Sequence, residues 1–252
     1  MIYVTGDCHG DFKRFTSKNF PEQYHMTRDD FVIILGDFGG IWRESKEELY
    51  WLDWLNNKPF TTLFIDGNHE NFDLLKEYPV VDFAGGKAHR IMDNIYHLMR
   101  GYVFEIDGSK FFAFGGASSH DIEDGILDPA DYSSNEAFKQ VYNNWCRQNK
   151  MFRVKGVSWW EEEIASDEEM LRGKDNLAAN NNEVDFVITH CCPQHVATLI
   201  SHGQYKPDKM TKYFNEISEK TKFKKWFFGH YHGNLQVMVE YIELYEQIIR
   251  VA

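Results

Sequence analysis

Five apolar runs in this chain stop in nearly the same way, at glycine, acid, amide or imidazole. They are "VTGDCHG" at residues 4–10, "FVIILGDFGG" at 31–40, "TTLFIDGNHE" at 61–70, "VDFVITHCCP" at 184–193 and "KKWFFGHYHG" at 224–233. Runs of β-branched and aromatic residues bounded by glycine read as buried strands. Such strands alternating with helix-length segments read as an α/β fold with parallel pairing. In that architecture the crevice at the carboxyl ends of the strands is the usual ligand site, so residues distant in sequence converge there. Each motif alone has an ordinary reading: Gly36-Asp37 is a turn, and His190 is a hydrogen-bonded core histidine. Their recurrence at five strand ends argues for one shared polar site. Asp7 and His9, like His230 and His232, lie two residues apart, and in extended chain such residues face the same side.

The first third of the chain alternates "IYVT", "DFKRFTSKNF", "FVIILGD", "SKEELYWLDWLNN", "TTLFIDGNHE" and "NFDLLKEY", a βαβαβα pattern. Asp11 reads as the cap of a helix beginning at Phe12. Ser45 with Glu48 fits a capping box, and Leu49, Leu52 and Leu55 recur at helical spacing for packing on the sheet. From about residue 89 short strands take over, with "YVFEI", a turn at "DGSK" and "FFAFGG" forming a hairpin. Residues 117–183, rich in Asp, Glu, Asn and Ser, read as an insertion with one or two helices, the clearer beginning near Ser166 with Glu169 as capping partner. That insertion is suited to a substrate lid. Residues 194–220 read as mainly helical, and "LQVMVEYIELYEQIIRVA" as closing strands. With no repeat, linker or low-complexity tract, the expectation is a single domain over residues 1–252.

A hydrophobic content of 43% with 16% aromatics supplies a sizeable core. The formal charge of -12 argues against coating long nucleic acid through a general field, so any anionic substrate must be drawn locally. Cys8, Cys146, Cys191 and Cys192 lack zinc-ribbon spacing and read as reduced thiols. The beginning of the chain carries no basic segment followed by a long apolar core, and no window approaches a membrane span. A cytoplasmic protein without a membrane partner is expected.

In order along the chain, Asp7-x-His9, Gly36-Asp37, Gly67-Asn68-His69-Glu70, a lone His190 and Gly229-His230-Tyr231-His232 resemble the signature of the calcineurin-like metallophosphoesterases. The resemblance implies a four-layer α/β/β/α sandwich and a dinuclear metal centre. It places one ion on Asp7, His9 and His232 and a second on Asn68, His190 and His230, with Asp37 bridging. Imidazole, carboxylate and amide oxygen without thiolate suit manganese, iron or zinc better than calcium. Two such ions roughly 3.5–4 Å apart clamp a phosphate ester and activate water for in-line attack at phosphorus. Two dications outweigh the charges of Asp7, Asp37 and a hydroxide, which gives an acidic protein a local positive field.

His69 is the general acid that the resemblance implies; the other reading is a structural residue or a phosphate hydrogen-bond donor. In the protein serine/threonine phosphatases the Gly-Asp motif continues to a second Asp and an Arg. Here Gly40 stands where that second Asp is expected. This departure speaks against a protein phosphatase and leaves the orienting partner of His69 open, with Glu70 one candidate. It tilts the reading toward a phosphodiesterase on a small or nucleotide-type substrate. A phosphomonoesterase or a nuclease on short nucleic acid is the alternative, and a metal-free binding scaffold is the reading from another class. A protein partner cannot be named from the sequence.

Within the insertion, His120 and Asp121 are candidates for contact with phosphate or leaving group. Trp159 and Trp160 either stack a flat group such as a base or pack the lid. Cys8 is a filler between ligands or a point of oxidant sensitivity. Residues 206–225 carry seven Lys against three acids, a solvated helical face or a surface for a polyanion.

Overall fold

Side chains alternate across each strand, and burial of both alternating sets here requires cover on both faces of every central strand. The computed structural model describes residues 1–251. One sheet contains β1 (Ile2–Thr5), β2 (Phe31–Leu35), β3 (Thr61–Ile65), β4 (Val80–Phe83), β5 (Gly86–Met92) and β6 (Ile95–Leu98). The other contains β7 (Tyr102–Ile106), β8 (Ser109–Phe114), β11 (Phe186–Thr189), β12 (Lys225–Phe228), β13 (Leu235–Gln236) and β14 (Tyr241–Glu243). A small parallel pair, β9 (Gly125–Leu127) with β10 (Phe152–Val154), stands apart, and β15 (Ile248–Arg250) completes the first sheet. The orders are β15-β1-β2-β3-β6-β5-β4 and β13-β14-β12-β11-β8-β7. Parallel pairing runs through β1-β2-β3-β6 and through β8-β11-β12-β14.

Val4, Ile33, Leu63 and Ile65 from the first sheet meet Phe111, Ala113, Ile188 and Phe227 from the second in one core between the sheets. The alternate residues Tyr3, Val32, Ile34 and Phe64 face outward against Phe12, Phe15, Leu52 and Leu55. On the far side, Phe112, Phe114, Val187 and Trp226 pack against Met170, Leu177, Phe214 and Ile217. The result is the four-layer α/β/β/α sandwich, with large side chains each contributing about 1.5–3 kcal/mol by burial.

The helices are α1 (Lys46–Asn56), α2 (Phe72–Leu75), α3 (Asn135–Arg147), α4 (Asp167–Ala179), α5 (Gln194–Ile200) and α6 (Lys209–Lys220). Both expected capping boxes form, at Ser45/Glu48 and Ser166/Glu169. The hairpin of β7 and β8 turns at Asp107 and Gly108, both with positive φ. Leu49 is 50% exposed, so only Leu52 and Leu55 of that stripe face the sheet.

The helix expected over "DFKRFTSKNF" is not there. The chain makes one 3-10 turn at Lys13–Phe15 and another at Pro21–His25, and Asp11 accepts the backbone N–H of Lys13 at 3.0 Å. Phe12, Phe15 and Phe20 are all buried; on a continuous helix Phe20 would lie about 140° round from Phe15. Pro21, which has no N–H to give a continuing helix, opens the second turn. Pro79 follows the single turn of α2, and the strand-rich region starts at Val80, earlier than the pattern suggests.

Residues 117–183 lie between the adjacent parallel strands β8 and β11. Within this stretch Met170, Gly173 and Leu177 of α4 are buried, so α4 serves as the crossover helix on the second sheet. The part with β9, α3 and β10 reaches over the carboxyl ends of the first sheet, and no residue of α3 is buried.

Candidate metal centre

Asp7, Asp37, Asn68, His190 and His230 sit one to three residues past the ends of β1, β2, β3, β11 and β12. Parallel pairing puts those ends side by side, and the face-to-face sheets bring both sets into one crevice. The turns interlock before any cation is considered. The carbonyl of Asp37 accepts the N–H groups of Cys8 at 3.1 Å and His9 at 2.7 Å. The Asp37 carboxylate accepts the His69 N–H at 2.7 Å, and that of Asp7 accepts the His230 N–H at 3.0 Å. A Cβ on Gly67 would strike the Asp37 carboxylate and one on Gly229 the Asp7 carboxylate. Glycine is therefore required at both motifs by close approach.

Backbone conformation departs from the extended geometry suggested by the i, i+2 spacing. His9, Asp37, His230 and His232 have φ of 48°, 43°, 70° and 58°. These left-handed residues cost on the order of 1–3 kcal/mol each and are held by the interlocked turns. The paired side chains converge because the chain curls around the site.

Two groups of side chains come together, Asp7 with His9 and His232, and Asp7 with Asp37 and His190, with all ligand atoms of a group within 4.8 Å of one another. In the first, His9 Nε2 lies 3.2 Å from His232 Nε2, and His232 Nε2 lies 3.2 Å from Asp7 Oδ2. Donors bound at about 2.0–2.2 Å to one ion stand roughly 2.9–3.5 Å apart; two edges of this trio meet that spacing and the third, His9 Nε2 to Asp7 Oδ2, is wider at 3.9 Å, so the three atoms surround the place of one cation. In the second, His190 Nδ1–H donates to the Leu35 carbonyl at 2.7 Å. This leaves Nε2 facing Asn68 Oδ1 at 3.1 Å and Asp37 Oδ1 at 3.4 Å. Such a carbonyl contact fixes the tautomer that a metal-binding imidazole needs. His230 lies beside His190, with ring centroids 5.0 Å apart, but its Nε2 pairs with His120 Nε2 at 2.7 Å and stays outside both groups.

The charge balance calls for a cation. Asp7 and Asp37 are fully buried. Burial alone would raise the Asp37 carboxyl, but the charge and hydrogen bond of His190 overcome it and hold the group below its usual range. Burial likewise lowers His190, but Asp37 and Asp7 outweigh it and raise the imidazole to about 10. A divalent cation bound there would supply the positive charge that these two carboxylates call for.

His69 borders the centre, its ring edge-on to that of His9 at 5.4 Å. Burial lowers its pKa, partly opposed by Asp37, and the charge of Arg153 lowers it further. Glu70 is buried and its Oε1 accepts the Phe38 N–H at 2.7 Å, so it braces the Asp37 turn. Asp121 forms a bidentate pair with Arg153, and Arg153 Nη2 reaches His69 Nε2 at 3.0 Å. Arg153 was not among the candidates: a single arginine in "MFRVKG" has no motif or spacing to distinguish it. Trp160 is buried, its Nε1 donating to Asp73 at 2.7 Å and its ring edge-on to Trp42, while Trp159 is half-buried nearby. Cys8 is buried among the turns, and burial pushes its thiol up to about 12. In the lysine-rich stretch, Lys209, Lys220 and Lys224 pair with Asp167, Glu216 and Asp185.

A two-sheet sandwich with carboxylates and imidazoles converging at its strand ends defines the metallophosphoesterase class. The calcineurin-like phosphoesterase family model matches residues 1–234, and the chain belongs to that family. It is 26% identical over 170 residues to lariat debranching enzyme A of Xenopus laevis, a match covering 61% of this chain and 30% of that protein. To the human lariat debranching enzyme it is 21% identical over 271 residues, covering 95% and 43%. The chain thus spans less than half the length of these relatives. A crystal structure of a protein of unknown function from Aquifex aeolicus aligns with 18% identity and a TM-score of 0.26, over 67% of this chain and 84% of that one. Among the described residues, no helix is long and apolar enough to cross a membrane.

Proposed function

We propose that this protein is a dinuclear-metal phosphodiesterase acting on a small or nucleotide-type substrate. The observation that carries the reading is the convergence of two ligand groups sharing Asp7, one completed by His9 and His232 and the other by Asp37 and His190. In this reading Asp37, whose Oδ2 lies 3.8 Å from His9 Nε2, would be shared by both ions, and Asn68 and His230 would complete the second set, with His230 released from His120. Manganese, iron or zinc suits this donor set. When bound, the ions supply an activated water and a clamp on the phosphoryl oxygens.

The chain's own groups do the rest. The turns of β1 and β2, tied together through Asp37, hold the ligands in place before the substrate arrives. His69, anchored by its backbone N–H on Asp37, is offered to the leaving oxygen. Residues 117–183 belong to the same single domain, and their part with β9, α3 and β10 covers the substrate from one side. His120, placed between His230 and Tyr205, lies where it can meet a leaving group, its ring stacked on Tyr205 at 5.1 Å. Trp159 and Trp160 serve packing of that cover. The relatives' name, lariat debranching enzyme, supports the diester side and brings short nucleic acid into the substrate range. The setting of this reading is the cytoplasm.

A substrate panel at fixed manganese tests it, comparing aryl mono- and diesters, cyclic nucleotides and short single strands. The reading expects turnover of diesters and severe slowing by His69→Ala. Activity confined to monoesters overturns it, and a protein that takes up no metal under saturating manganese, iron or zinc is a scaffold.

A further inference from the structure

Arg153 stands on β10, in the part of the chain that reaches over the crevice, and its side chain is only 12% exposed. Asp121 grips it with two hydrogen bonds, Nε to Oδ1 at 2.7 Å and Nη2 to Oδ2 at 2.6 Å, and Nη1 donates to the Ser158 carbonyl at 3.0 Å. This bidentate geometry fixes the plane of the fork. The remaining contact runs from Nη2 to His69 Nε2 at 3.0 Å. Arginine has donors only and stays protonated. At that contact His69 Nε2 must therefore accept, and the ring proton must lie on Nδ1.

We propose that Arg153, clamped by Asp121, is the positioning residue of His69, fixing its imidazole as the neutral tautomer with the proton on Nδ1. The backbone of His69 is held by Asp37 and its ring by Arg153, so the two clamps come from opposite sides of the site. An imidazolium would carry protons on both nitrogens and lose the Arg153 contact. With Arg153 in place, His69 serves as a hydrogen-bond donor through Nδ1–H. The functional part of this inference rests on the phosphodiesterase reading; the tautomer does not. It also makes His69 dependent on the seating of the inserted segment, since both members of the clamp come from it.

The test is nitrogen-15 NMR of the histidine rings in the zinc-loaded protein at alkaline pH, where an exposed imidazole is neutral. The unaltered protein is expected to hold His69 as Nδ1–H. Arg153→Met is expected to lower the ratio of Nδ1–H to Nε2–H about tenfold or more, the loss of a charge-assisted hydrogen bond. Asp121→Asn, which keeps the arginine but loosens it, is expected to shift the ratio the same way by less, and it stands in if Arg153→Met does not fold. An Nε2–H ring in the unaltered protein overturns the proposal, and so does an unchanged Nδ1–H ring in the folded variants. The same samples are assayed on diesters. If the unaltered protein hydrolyses none of them, the proposed function falls, while the tautomer still decides the placement of Arg153.

Discussion

Replacing Arg100 should destabilise the fold more than any single surface change, and the size of the loss follows from its contacts. Arg100 is 4% exposed and donates to Asp66 Oδ2 through Nε at 2.8 Å and Nη2 at 2.5 Å. It also donates to the Glu162 carbonyl at 2.7 Å and to Glu169 at 3.4 Å. Asp66 is itself buried, and Arg100→Met would leave it only the His97 contact at 3.0 Å among its side-chain partners. Stranding one partner of a buried pair costs about 3–5 kcal/mol. For a chain of this size that is a fall of roughly 6–20 °C in melting temperature. Urea unfolding with a double-mutant cycle measures it, and adding Asp66→Asn should recover about 2 kcal/mol because the stranded charge is gone.

The acid limb supplies a second readout. Burial tends to raise the Asp66 carboxyl, but Arg100 overcomes this and holds it below its ordinary 3.8. The stability this gives is present above that value and is lost as pH falls below it. Arg100→Met should shrink the loss. A destabilisation under about 1 kcal/mol, the range of an exposed pair, would refute the reasoning. Because Asp66 precedes Gly67-Asn68-His69, the same variant should also weaken metal binding.

Three further outcomes are expected. Gly229→Ala should weaken manganese binding by roughly 10–100-fold in calorimetry, since the new methyl displaces the Asp7 carboxylate; unaltered affinity would contradict that close approach. Burial, with a smaller contribution from His97, lowers His89 from 6.5 to about 4, so only the unfolded chain takes up its proton between those values. Stability should therefore fall as pH drops from 6.5 to about 4, and His89→Gln should flatten that limb; an unchanged slope would count against it. Cys8, Cys191 and Cys192 are buried and Cys146 is exposed, so a thiol reagent should modify Cys146 alone in the native protein and the other three on unfolding. Rapid native reaction at Cys8 would contradict its burial.

Legibility in the sequence followed the range of the interaction. The strand ends, both capping boxes and the Asp107-Gly108 turn were readable because each depends on a few neighbouring residues. The four layers followed from the motif order and the resemblance it carries. Hidden were features set by packing across the chain. Phe12, Phe15 and Phe20 lie in a stretch that reads as a helix, and only the fold shows that two separate 3-10 turns seat them in one core. The left-handed turns at His9 and His230 are held by backbone bonds to Asp37 and Asp7, partners far away along the chain that the neighbouring glycines do not reveal. Arg153 is 84 positions from His69, and only the folding of the inserted segment places its fork against that ring.

The central claim is that Asp7, Asp37 and the convergent histidines hold a metal pair that hydrolyses a phosphodiester. Titrating metal-free protein with manganese while following an aryl phosphodiester tests it most directly. The account predicts a rate that rises to a plateau at two equivalents per chain and is lost in Asp37→Asn. A rate independent of added metal, or unchanged in that variant, would contradict it.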